Sequence, residues 1–166
     1  MASGTLVSIR EYLSTSYRPD CDYVDGVVEE RNLGGYDHAR LQMKVAAYFY
    51  IREKLSGVHV VPEQRIQVSP TRFRIPDICV VAGEEPKEQI FRPPPFICIE
   101  ILSPEDRLAR VRQRMDDYLA FGVKYAWLLD PATRKTHRFT NGGMHEVTEL
   151  RTENSDILVP LAELCD

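Results

Sequence analysis

Two acids sit where an apolar strand should carry none. Asp77 follows Pro76 at the head of the run DICVV, and Glu100 interrupts FICIEIL. An unpaired carboxylate in a buried strand is costly, so each needs a cation, a cage of donors or a shifted pKa. Carried on consecutive strands, the two acids can share one cation, and hard oxygen ligands of this kind suit Mg²⁺ or Mn²⁺. The plainer alternative is that both acids end strands in water or pair with arginines. A third feature is a stripe of arginines. Arg107, Arg110 and Arg114, then Tyr118, fall at spacings of three, four and four, which places them on one helix face. Leu108, Val111, Met115 and Leu119 lie about a quarter turn away, at roughly 100° per residue. The stripe is therefore expected to flank a buried seam, where arginines can hold phosphate bidentately. The alternative is a solvated face with local pairs to Asp106 and Asp117.

These residues need elements to position them. A short helix is expected from Ser8 (SIREYL), then a hairpin over DYVDGVVEER with Asp25-Gly26 at its turn. The pattern predicts a long helix over residues 37–56, capped by Asp37 and stopped by Gly57. Its apolar positions are Leu41, Val45, Tyr48, Phe49 and Leu55. HVVPEQRIQV, interrupted by Pro62, reads as a bent pair of strands. PDICVVA and PFICIEIL read as central strands covered on both faces. A second helix is expected to open at Ser103 as N-cap, with Pro104 in its first turn, and to end at Gly122. YAWLLD is a buried strand closed at Pro131. KTHRFTNGGMHEVTEL is a hairpin around Asn141-Gly142-Gly143. The resulting order of helix, three strands, helix, strand implies one mixed sheet with helices packed on it.

Composition bounds the class of protein. The 166 residues read as one domain over 1–166, and 43% hydrophobic with 28% charged residues marks a soluble globular chain. Residues 1–83 carry ten basic and ten acidic side chains, and residues 84–166 carry eleven and fifteen, so the excess of −4 lies in the second half. That balance excludes coating of nucleic acid by bulk charge but not a local basic groove. No apolar stretch is long enough to span a membrane, and the N-terminus lacks a signal-peptide core. Cys21, Cys79, Cys98 and Cys165 form no CxxC pair, and Cys79 and Cys98 sit inside apolar runs. Reduced cysteines in a cytoplasmic protein are expected, rather than zinc or disulfides.

RIPDICVV, FICIEILSPEDR and RQRMDDYLAFGVKYAWLLDP, in that order, resemble the PD-(D/E)XK nuclease superfamily. The chain is most similar to the small single-domain bacterial branch described as restriction endonucleases, over nearly its whole length. The resemblance implies an α/β (α+β) fold: a restriction-endonuclease-like αβββαβ core with an N-terminal helix and hairpin and a C-terminal β-hairpin. By resemblance, Asp77 matches the aspartate of the PD element and Glu100 the second acid. Both would bind a divalent metal, Mg or Mn, with help from the backbone carbonyl of Ile101. The lysine expected two residues after Glu100 is Leu102. The resemblance to this branch implies that the cation is relocated to the following helix, at Arg114, four residues before Tyr118. Arginine stays protonated and cannot act as a base, but it can orient water and offset charge. Asp22 of DYVDG stands where the branch often carries a glutamate, and is a candidate catalytic acid beside its plain reading as a turn-flanking residue. His38 and Glu63 are weaker candidates, read first as packing or surface residues.

Two functional expectations follow. One is a metal-dependent endonuclease-like phosphodiesterase hydrolysing DNA, with Asp77, Glu100, Arg114 and Asp22 as its catalytic set and Arg107 and Arg110 on neighbouring phosphates. Cutting both strands would call for a homodimer. The other is a weakened or inactive nuclease-fold module that binds nucleic acid or a protein, with Glu100 and Arg114 as a structural ion pair.

Overall fold

A computed structural model describes residues 5–153 and 157–164; Cys165 lies outside them. The elements in chain order are α1 (Ile9–Ser14), β1 (Cys21–Val24), β2 (Val27–Glu30), α2 (Tyr36–Tyr50), α3 (Glu53–Ser56) and β3 (Val58–Pro62). Next come β4 (Ile66–Ser69), β5 (Arg72–Arg74), β6 (Ile78–Ala82), β7 (Ile97–Ile101) and α4 (Leu108–Phe121). The chain closes with β8 (Tyr125–Asp130), β9 (Lys135–Thr140), β10 (Gly143–Val147), β11 (Leu150–Arg151), β12 (Leu158–Val159) and α5 (Leu161–Leu164).

The six-stranded sheet runs β10-β9-β8-β7-β6-β3. β3, β6 and β7 are antiparallel neighbours, and β7 pairs β8 in parallel. That parallel step needs a crossover, which α4 supplies. With α2 in front, this is the expected αβββαβ core. A second sheet, β2-β1-β5-β4, stands beside it. HVVPEQRIQV is therefore two strands, as expected, but in different sheets.

The central strands are apolar on both sides because each face is covered. Ile97, Ile99 and Ile101 of β7 pack with Leu41, Val45 and Phe49 of α2. Cys98, on the opposite face, packs with Val111, Met115 and Tyr118 of α4. The two-residue period of a strand thus puts Glu100 on the α4 side. Cys79 and Cys98 are fully buried, free and directly opposite one another across β6 and β7, as small core residues.

Several boundaries differ from the sequence expectation. Helix α1 starts next to Ser8 as expected, with the Ser8 side chain as its cap, and Asp25 and Gly26 both take positive φ in the β1–β2 turn. The long helix, however, begins at Gly35 without a side-chain cap, Asp37 lies in its first turn, and it breaks after Tyr50 before α3. Leu55 is 89% exposed rather than part of the apolar face. The second helix begins at Leu108 with Arg107 as N-cap. Residues 103–106 instead close a turn: Asp106 N–H donates to the Ser103 carbonyl (3.0 Å), and Asp106 Oδ2 accepts from Ser103 N–H (2.8 Å). Pro104 is the second residue of that turn, where its fixed φ also fits. Leu108 is 46% exposed, so the apolar seam of α4 starts at Val111. Among the described residues no helix is long and apolar enough to cross a membrane.

Candidate active site

Asp77 and Glu100 meet at one end of the six-stranded sheet, and both are almost fully buried, at 4% and 3% exposed. Asp77 is held by its own backbone: its carbonyl accepts from Glu63 N–H (3.1 Å) and from Gln42 Nε2 (3.0 Å). Its Oδ2 accepts from Ile101 N–H at 2.7 Å, so the residue after Glu100 fixes the first acid directly. Glu100 Oε1 accepts from the Tyr118 hydroxyl of α4.

Two guanidiniums and an imidazole complete the cluster. Arg31, just past β2, donates from Nη2 to Asp77 Oδ1 at 2.9 Å. His38 Nε2 lies 3.3 Å from Asp77 Oδ2. Gly34 makes room for that ring, since a Cβ there would fall 2.2 Å from the imidazole. Arg114 approaches Glu100 Oε1 with Nε at 3.5 Å and Asp106 with Nη2 at 3.8 Å. Its buried Nε makes no hydrogen bond. Arg31, His38, Asp77, Glu100, Asp106 and Arg114 line a polar recess of about 10 Å³, room for roughly one water. A larger cleft, about 330 Å³, shares His38 and Ser103 with it.

The environment splits the two acids. Burial pushes against ionisation of Asp77, but the His38 bond, Arg31 and the Ile101 N–H outweigh it and hold the carboxyl below its ordinary value. Burial pushes Glu100 up to about 7; Arg114 pulls against this and the Asp77 charge adds to it. Burial lowers the His38 pKa, yet the bond to Asp77 and its charge raise it overall. Tyr118 is driven well above its usual value by burial and keeps its proton for Glu100. Pairs of acids pushed apart in this way are typical of sites that handle protons or cations.

The structure brings together Asp77, Glu100, Arg114 and Ile101 of the expected set. The Ile101 contribution recorded here is its N–H on Asp77. Asp22 does not line the recess. It is 2% exposed on β1, with Oδ2 on Arg74 Nη1 (3.1 Å) and Oδ1 on Ile75 N–H (3.0 Å). Burial outweighs the pull of Arg74, Arg31 and Arg114 and holds its carboxyl above the ordinary value. The arginine stripe divides: Arg114 turns inward, whereas Arg107 and Arg110 are exposed to solvent instead of flanking the seam. Asp117, one expected local partner, pairs with Arg72 and Arg74 instead. The Glu63 side chain is exposed, and His38 is promoted from packing residue to site residue. Arg31, Asn32 and Gly34 were not identifiable as site residues, because an arginine after a hairpin carries no signal of an acid 46 residues away.

The donors suit a hard divalent ion that takes one or two carboxylates and completes its shell with water and phosphate. Both contacts on Glu100 fall on Oε1, so its other oxygen is engaged by neither Tyr118 nor Arg114. Among the described residues no group of three or more His, Cys, Asp or Glu is placed to hold a metal. An ion here would draw the rest of its shell from solvent and substrate.

An αβββαβ core with one buried acid at the head of β6 and another on the adjacent β7 defines a restriction-endonuclease-like domain. Residues 10–164 match the model of the Uma2 family, described as "Putative restriction endonuclease", and the chain belongs to that family. The fold is also that of a crystal structure described as a putative nuclease belonging to DUF820 from Anabaena variabilis ATCC 29413. The TM-score is 0.81 at 18% identity, over 96% of this chain and 97% of that one. No curated protein matches the chain.

Proposed function

We propose that the chain is a metal-dependent phosphodiesterase that nicks DNA at the recess between β6 and β7. The observation that carries the reading is the pairing of two buried acids of unequal pKa, with the second Glu100 oxygen hydrogen-bonded by neither Tyr118 nor Arg114. Asp77 and Glu100 would hold Mg²⁺ or Mn²⁺, with the Ile101 backbone alongside. When bound, such an ion supplies Lewis acidity toward a phosphoryl oxygen and lowers the pKa of water.

The chain's own residues do the remaining work. Ile101 N–H and His38 orient the Asp77 carboxylate. Tyr118 fixes Glu100 by donating to one oxygen only. Arg114, always protonated, offsets negative charge growing on phosphorus oxygens. Arg107 and Arg110, exposed where α4 begins, hold flanking phosphates. The cleft beyond His38 and Ser103 gives the strand room to enter. One copy of the chain carries one such site, so a nick is the expected product; two copies would be needed to cut a duplex through.

The test is nicking of supercoiled plasmid with and without Mg²⁺ or Mn²⁺. Asp77→Ala should fall to background while its melting profile still shows a folded protein. Full metal-dependent activity in that variant would sink the assignment. A second reading, a nuclease-fold binding module, is favoured by one observation: each acid already faces a guanidinium. It predicts no saturable heat when Mn²⁺ is titrated into the protein.

A further inference from the structure

Arg31 stands where a ligand cation would be wanted. Its guanidinium is 2.9 Å from Asp77 Oδ1, its side chain is only 14% exposed, and the Asp77 and Glu100 charges both favour it. The next residue closes the same segment over the site: Asn32 Nδ2 donates to Asp106 Oδ1 at 2.9 Å. Asp106 belongs to the turn after β7 and lies on the opposite rim, within reach of Arg114. The loop from β2 to α2 is thus pinned at two adjacent residues to two different walls of the recess. The remaining space between these side chains, about 10 Å³, takes roughly one water.

We propose that Arg31 is a tethered internal cation that competes with the divalent ion for Asp77, and that a substrate phosphodiester relieves the competition by drawing the guanidinium onto itself. This rests on the nuclease reading and adds a coupling to it. An arginine that leaves a carboxylate finds in phosphate a partner of matching bidentate geometry. Displacement therefore exchanges one ion pair for another rather than stranding a charge. Asn32 positions the loop through Asp106 and acts only through Arg31. By linkage, phosphodiester and metal each strengthen binding of the other. The free protein would then take up metal poorly, and would load it together with its substrate.

The experiment is calorimetric titration of MnCl₂ into wild type, Arg31→Gln, Asn32→Ala and the double variant Arg31→Gln/Asp77→Asn, each first checked by thermal melting. Arg31→Gln should bind Mn²⁺ about tenfold more tightly than wild type, and Asn32→Ala about threefold more tightly. Asn32 is exposed, so that variant keeps the test alive if Arg31→Gln does not fold. With a saturating phosphorothioate-linked DNA duplex, the gap between wild type and Arg31→Gln should close to about threefold or less. Equal Mn²⁺ affinities in wild type, Arg31→Gln and Asn32→Ala would overturn the competition and leave Asp77 and Glu100 as ion ligands. A gap that DNA does not narrow would overturn the coupling. A double variant as tight as Arg31→Gln would place the ion away from Asp77, and would overturn the proposed metal site itself along with the competition.

Discussion

Arg74 is 1% exposed and meets three carboxylates, those of Asp22, Glu29 and Asp117, whereas Asp77 and Glu100 stand between two guanidiniums that reach them unequally. In the first cluster the contacts are short. Arg74 Nε donates to Asp117 Oδ2 at 2.7 Å, Arg72 joins Asp117 at 2.8 Å, and both Asp22 oxygens have donors. In the second, Arg114 stops at 3.5 Å from Glu100 with its Nε unbonded, and Glu100 is pushed to about 7. Both clusters bury charge and each leaves one guanidinium nitrogen without a hydrogen bond, but Arg74 Nη2 still lies 2.7 Å from Asp117 Oδ2 while Arg114 Nε stops 3.5 Å from Glu100. Matched charge at low exposure stabilises a fold chiefly by being costly to break. Charge left partly unmatched is free to be balanced by a ligand.

Arg74→Met is the harshest way to break this contrast. It strands Asp22 and Asp117 in the interior and should cost about 3–5 kcal/mol. That is a fall in melting temperature of roughly 10 °C for a chain of this size, read by thermal denaturation. A small change would mean that water reaches the cluster and that the two regions do not differ.

Glu100→Gln sharpens the comparison from the other side and should stabilise the protein. The Glu100 carboxyl moves from an ordinary 4.5 in the unfolded chain to about 7 when folded. Between those values the folded protein keeps a proton that the unfolded chain has released. The stability this gives is full below pH 4.5 and is lost as pH rises through about 7. Such a shift corresponds to about 3 kcal/mol as an order of magnitude. Glu100→Gln should remove that slope and melt higher than wild type at pH 8, while abolishing metal-dependent nicking. Urea denaturation at several pH values reads both features. An unchanged slope would mean that Arg114 and Tyr118 offset the burial of Glu100 in full.

The smallest effects belong to the exposed arginines. Arg107→Ala and Arg110→Ala should each leave stability within about 0.5 kcal/mol. Each should also lower the slope of log DNA affinity against log salt by about one. Fluorescence anisotropy over a salt series measures this. An unaltered slope would place the flanking phosphates on another face.

Much of the fold was legible because it rests on local rules. Apolar runs too long to alternate marked β6, β7 and β8 as doubly covered strands. Asp25-Gly26 and Asn141-Gly142 marked hairpins, and Gly122 marked the end of α4. The misplaced boundaries have equally local causes that compete with the expected ones. Ser103 looks like a helix cap, but Asp106 folds back onto it and closes a turn first. Asp37 looks like a cap, but the chain enters α2 through Gly35.

Residue type and spacing by themselves determined that two acids interrupt apolar strands, and that Arg114 and Tyr118 share a helix face which could serve one of them. They did so because strand and helix periods are properties of neighbouring residues. Which cation each acid meets was decided only by tertiary structure. Asp22 is taken by Arg74, 52 residues away, and Asp77 by Arg31 and His38, 46 and 39 residues away. Arg74 reaches Asp22 from the neighbouring strand of the smaller sheet, and Arg31 and His38 reach Asp77 from the segment between β2 and α2 and from α2 itself, so no local periodicity links them. The same packing buries both acids, which raises Glu100, while His38, Arg31 and the Ile101 N–H hold Asp77 ionised against that burial.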